Sequence, residues 1–188
     1  PAIAFAPSTG TAFNIVISNN TIDTSSVGTN AKGILLSRTT DASVTGNTIK
    51  SVGNSGIVVD DTNNHIAISN NVITTPTSLG IFVASSNDVT VSNNVIRDAG
   101  GNAISVQGGA DLFITDNNIK GAGRAAAATH FGIRMSTSTA GATISGNRIR
   151  KFGSGNEVLK GISITGTCTG LMISRNDIQD TGLEDLST

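Results

Sequence analysis

Between residues 119 and 161 the chain carries Lys120, Arg124, Arg134, Arg148, Arg150, Lys151 and Lys160 against one acid, Glu157. The whole chain has a formal charge of -1, so the rest of it is net acidic. His130, Phe131 and Phe152 fall in the same stretch. Guanidinium and ammonium groups take carboxylates, and ring faces take sugars. The combination therefore suits an anionic sugar polymer held in a positive groove. The candidate contacts are Arg124, His130, Phe131, Arg134, Lys151, Phe152, Glu157 and Lys160. β-Elimination from a uronic acid needs a base for the proton beside the carboxylate and cations for the enolate-like intermediate. Arg134, Lys151, Lys160 and His130 are the residues that offer those groups. Hydrolysis needs two carboxylates flanking a bond, and Glu157 has no acidic partner in the cluster. A solvated basic loop region is the plain alternative.

Two acidic features lie elsewhere. In "VVDDT" the neighbours Asp60 and Asp61 point to opposite sides of a strand or into the turn, and Asp61 is expected to meet Arg38 one coil earlier as a surface ion pair. Asp41, Asn64, Asp88 and Asp111 occupy matching turn positions. Such residues commonly cap turns, which is the preferred reading. Asp88 over Asp111 is also a candidate calcium position; no other metal or cofactor is expected.

What must position these groups is a repeat. "ISNNTI" returns as "VTGNTI", "ISNNVI", "VSNNVI", "ITDNNI", "ISGNRI" and "ISRNDI", placing Asn20, Asn47, Asn71, Asn94, Asn117, Asn147 and Asn176 at spacings of 27, 24, 23, 23, 30 and 29. That is a solenoid period. An isoleucine stands two positions after every one of these asparagines, from Ile22 to Ile178, and implies an interior column. Alternating pairs ahead of them, such as Ile66/Ile68 and Val89/Val91, read as strands with one buried face. A second strand recurs as "GILLS", "GIVVD", "GIFVA", "AISVQ", "GIRMS" and "GISIT". Stacked asparagines can bond to each other through both donor and acceptor, forming an internal ladder. The Ser or Thr after each strand forms a further column. Only the segment after N-x-I varies in length, and the extended versions "KGAGRAAAATHF" and "RKFGSGNEVLK" sit on adjacent coils, as binding-face insertions do.

Through the N-x-I phrase, the two flanking strands and the missing helices, the chain resembles the right-handed parallel β-helix superfamily, which includes pectate lyases, polysaccharide epimerases and phage tailspikes. The match covers residues 12 to 180 or so. It implies an all-β, right-handed parallel β-helix of about seven coils. Polygalacturonase-like members carry a set of motifs of which only "DD" and a "THFGIRM" stretch occur here. None of their catalytic residues is transferred.

One domain is expected over 1–188, with regular coils over about 12–180. Neither "PAIAFAPSTG" nor "DTGLEDLST" resembles an end cap, so the expectation is a piece of something longer. On the outer side of the second strand, Leu35, Val58 and Phe82 form an apolar stripe that a side-by-side homotrimer would bury. The single Cys168 excludes an internal disulfide. The balanced charge gives no nucleic-acid signature, and no apolar run approaches the roughly 18 residues of a spanning helix. Three functions compete. One is a tailspike-like virion or cell-surface module binding polysaccharide, extracellular or virion-associated. Another is a lyase or epimerase acting on uronate polymers, with glycoside hydrolysis as a further enzymatic option. The last is a structural spacer rod.

Overall fold

The computed structural model describes residues 1–25, 28–123, 130–137, 139–150, 160–179 and 186–187. Among them there are strands, bends and turns and no helix. Three parallel sheets run the length of a coil, each strand pairing with its counterpart one repeat earlier and later. A glycine-led sheet holds Ile34–Ser37, Ile57–Asp60, Ile81–Ala84, Ile104–Gln107, Phe131–Met135 and Lys160–Ile164, with Ile3–Phe5 and Leu186–Ser187 at its edges. A long sheet runs from Ala12–Ser18 through Thr39–Thr45, Asn64–Ser69, Asn87–Ser92, Gly109–Thr115 and Thr139–Ser145 to Cys168–Thr169 and Met172–Ser174. The short sheet stacks the seven N-x-I strands, from Thr21–Asp23 to Asp177–Gln179. This is the parallel β-helix that the repeat predicts, right-handed as the family resemblance and the crossover rule imply.

The asparagine ladder is complete. Each Asn Nδ2 donates to the Oδ1 of the next: Asn20 to Asn47 at 2.9 Å, then Asn71, Asn94, Asn117, Asn147 and Asn176 at 2.9–3.0 Å. The same Oδ1 also accepts the backbone N–H of the preceding ladder residue, as Asn94 does from Asn71 at 3.0 Å. A second bond from Asn94 Nδ2 reaches the Ile68 carbonyl at 2.9 Å. Each amide in the middle of the ladder thus uses two donors and accepts twice, which is why Asn47, Asn71, Asn94, Asn117 and Asn147 sit buried without an orphaned polar atom.

The bend itself comes from the residue before each ladder asparagine. Asn19, Asn70, Asn93, Asp116 and Arg175 have φ between 54 and 57°, and Gly46 and Gly146 have φ 67°. Asn, Asp and Gly tolerate this left-handed conformation best, and they fill six of the seven positions. The ladder asparagine's own task is the hydrogen bonding.

Inside, Ile49, Ile73, Ile96, Ile119 and Ile149 form one column, all essentially inaccessible to solvent. Opposite them, the glycine of "GI" lets the turn close onto that column. A Cβ on Gly56 would lie 2.7 Å from both the Gly80 carbonyl oxygen and Ile73 Cγ2. Only a hydrogen fits there.

Candidate functional site

Phe131 begins a strand of the glycine-led sheet, and its N–H donates to Oδ1 of the buried Asn102 at 2.8 Å. Strand alternation sends Ile133 and Met135 into the core and Arg134 outward. The Arg134 guanidinium carbon lies 5.7 Å from the Phe131 ring centroid, a cation–π contact that orients the head group. Parallel register then sets Lys160 beside Phe131 and Ser163 beside Arg134 on the next level, with Ser105 beside Arg134 on the level before. Arg134 Nε is buried and has no hydrogen-bond partner. The charged head group as a whole is half-buried, and a guanidinium suits an anionic ligand oxygen.

His130 precedes Phe131 and is half-buried. Burial, and secondarily the charge of Arg134, hold its imidazole below the ordinary histidine range. The ring is therefore neutral at neutral pH, with one nitrogen free of a proton. His130, Phe131, Arg134 and Lys160 are the expected site residues that the structure brings together. Arg124, Lys151, Phe152 and Glu157 lie outside the described residues.

The basic segment does not stay on one face. Lys120, Arg148 and Arg150 belong to the short sheet and point outward there. Arg150 reaches Asp177 at 2.7 Å and also bonds Gln179, and Arg148 Nε is 3.9 Å from the same Asp177. Counting charge along the chain had merged two surfaces that the coil separates.

The stripe Leu35, Val58 and Phe82 is continuous in register. Val58 is only 3% exposed, flanked by the larger Leu35 and Phe82, which are half-buried. On the long sheet, the residue stacked between Asp41 and Asp88 is His65 rather than Asn64, because Asn64 pairs with Thr40 and Asn87. His65 Nδ1 lies 3.3 Å from Asp41 and Nε2 lies 3.1 Å from Asp88. Asp88 is thus engaged by the imidazole, while Asp111 sets its carboxylate over Gly141, where a Cβ would be 2.6 Å from Oδ1. The expected ion pair of Arg38 with Asp61 is present at 3.0 Å.

A family model described as periplasmic copper-binding protein (NosD) matches residues 13–184. Among solved structures, the chain is similar to the enzymatically active domain of bacteriophage CBA120 tailspike protein 2, with TM-score 0.58 and 15% identity over 86% of this chain and 30% of that one. It is also similar to the A-module of the Azotobacter vinelandii mannuronan C-5 epimerase AlgE6 (TM-score 0.47, 18% identity, 90% of this chain and 54% of that one). An alginate lyase from Paenibacillus matches with TM-score 0.42 and 13% identity, over 93% of this chain and 79% of that one. The chain therefore spans about a third to a half of the length of the first two. No curated protein matches it.

The described residues do not fit a copper ion. Copper favours imidazole, thiolate and thioether donors. Both nitrogens of His65 face carboxylates, Met135 is in the core, and His130 has Arg134 as its charged neighbour. Among the described residues no three His, Cys, Asp or Glu side chains are grouped to hold a metal.

Proposed function

This chain belongs to the NosD family, and we propose that it is a polysaccharide-binding β-helix that works outside the cytoplasm, taking an anionic glycan on the glycine-led sheet. The observation that carries this reading is the half-buried Arg134 head group held against the Phe131 ring, with Lys160 in register beside Phe131. The Phe131 ring holds that guanidinium, and Lys160 stands one level on. A uronate carboxylate would accept from Arg134, the Phe131 ring would meet a sugar face, and Lys160 would take the neighbouring carboxylate. The family description places its members in the periplasm, and the tailspike resemblance suggests a virion; both are surroundings where polysaccharide is met.

His130 supports a second reading, in which the groove acts on the polymer as a lyase or epimerase. Its neutral ring could accept the proton on the carbon beside the carboxylate while Arg134 stabilises the resulting enolate. In elimination the bond to the leaving glycosidic oxygen then breaks, a double bond forms, and solvent protonates the departing oxygen. In epimerisation a proton returns to the opposite face. A tailspike-like homotrimer would bury Leu35 and Phe82, between which Val58 is already covered.

The deciding experiment is binding of polymannuronate and polygalacturonate to the chain and to Arg134→Ser. Wild-type binding with a loss of about tenfold or more in the variant is expected. Unchanged affinity would leave the spacer-rod reading. Ultraviolet absorbance from an unsaturated product, lost in His130→Gln, would select the lyase. Sedimentation would test the trimer.

A further inference from the structure

The chain takes six more residues to run from Ile119 to Phe131 than from Ile96 to Asn102, yet the coil returns in register. At the regular levels a backbone bond brings it back: the Asn54 N–H donates to the Ala31 carbonyl at 3.0 Å, Ser78 to Asn54 at 3.1 Å and Gly101 to Ser78 at 2.7 Å. On the longer level the Gly101 carbonyl is taken by the Gly123 N–H at 2.8 Å, at the outgoing end of the segment. The returning end is held differently. There the Phe131 N–H donates to Oδ1 of Asn102 at 2.8 Å, so a side chain stands in for the carbonyl used elsewhere.

Register places Asn102 in the column of residues that stand two ahead of the first core isoleucine of each strand, between Leu79 on the level before and Phe131 on the level after. It is 4% exposed, so its amide oxygen bonds within the protein. The next residue completes the grip, because the Ala103 N–H donates to the Phe131 carbonyl at 3.2 Å. The peptide groups on both sides of the Phe131 Cα are thus fixed from the preceding level, and the ring they carry meets the Arg134 guanidinium. The residue in register with Arg134 is Ser105. Asn102 therefore acts on the pair through Phe131.

We infer that Asn102 is a positioning residue of the glycan site, fixing the root of the Phe131 strand so that ring and guanidinium already stand together when a ligand arrives; this rests on the glycan-binding reading of Phe131 and Arg134. A site gains affinity when its groups need no ordering on contact. Loss of the Asn102 acceptor leaves the Phe131 N–H unmet where the longer segment rejoins the coil, and an unmet donor is relieved by moving toward water. The ring moves with its own backbone. The register of Ile104 with Ile133 and of Val106 with Met135 is made by strand pairing over the core and does not pass through the Asn102 side chain. Leu79 fills the same position one level earlier, so leucine fits this column.

The test exploits a chain that contains no tryptophan. In Phe131→Trp the indole emission maximum and its acrylamide quenching report where the ring stands, with no ligand present. Adding Asn102→Leu should shift that emission to the red and raise the quenching. Asn102→Ala serves as the second variant should the leucine chain fail to fold. With Phe131 retained, Asn102→Leu should bind polymannuronate about fivefold more weakly than the wild-type chain, the fold-change of one hydrogen bond. An indole signal that both substitutions leave unchanged would overturn the positioning role, as would equal affinity of Asn102→Leu and wild type. If the wild-type chain does not bind, the glycan reading falls and the positioning role falls with it; if it binds while the indole stays in place, only the role of Asn102 falls.

Discussion

The asparagine ladder inside and the charged columns outside obey the same geometry, a residue placed over its counterpart at every level, yet identical neighbours have opposite consequences. An amide is donor and acceptor at once, so like on like is self-satisfying, and burial makes each bond harder to replace. A guanidinium or ammonium only donates, so like on like repels. On the long sheet an imidazole, His65, stands between the carboxylates of Asp41 and Asp88. Arg150, stacked over Lys120, is likewise met by a carboxylate, that of Asp177. The contrast teaches that in a stacked fold a uniform neutral polar column satisfies itself, while charged groups draw their partners from other residue types.

The largest effect should come from Asn94→Leu. It removes the acceptor of two Asn71 donors and the donor to the Ile68 carbonyl, all buried. A loss of about 3 kcal/mol in urea unfolding is expected, and a loss below about 1 kcal/mol would mean that the amides do not depend on each other. Next comes the close approach of levels on which every column relies. Gly56→Val drives side-chain atoms into the Gly80 carbonyl and Ile73, with an expected cost of about 2 kcal/mol; a neutral result would show slack between levels. His65→Asp would turn the alternating column into a uniform one. At low salt it should cost about 1 kcal/mol, shrinking as salt is added, since these groups are exposed. A salt-independent change would point to packing instead.

The smallest effect concerns His130. Its imidazole is held below the ordinary range in the folded chain, so the unfolded chain takes up this proton first as pH falls. The increment of stability is present above the unfolded value of about 6.5 and declines below it. Urea midpoints at pH 7.5 and 5.5 should show a small drop that His130→Gln removes. An identical drop in the variant would assign the slope to other groups.

The N-x-I phrase, the alternating pairs and the "GI" strands made the coil, the core columns and the amide ladder legible, because each is a local pattern repeated at one period. The conformational role of the residue before each ladder asparagine was visible only as an excess of Asn, Asp and Gly. Phe131, Arg134 and Lys160 were legible as residue types, and register made them neighbours. Three things escaped: that His65, not Asn64, stacks with the aspartates, because Asn64 stacks with Thr40 and Asn87 instead; that Val58 is covered; and that Arg148 and Arg150 face away from Arg134.

By itself the sequence determined the period, and with it which residue types pile into columns, since periodicity is a one-dimensional property. Which columns share a face was decided by the three-sided cross-section of the coil. Residues 97, 120 and 150 became neighbours because strand pairing adds one level per turn whatever the loop length, so long and short repeats fall into one register.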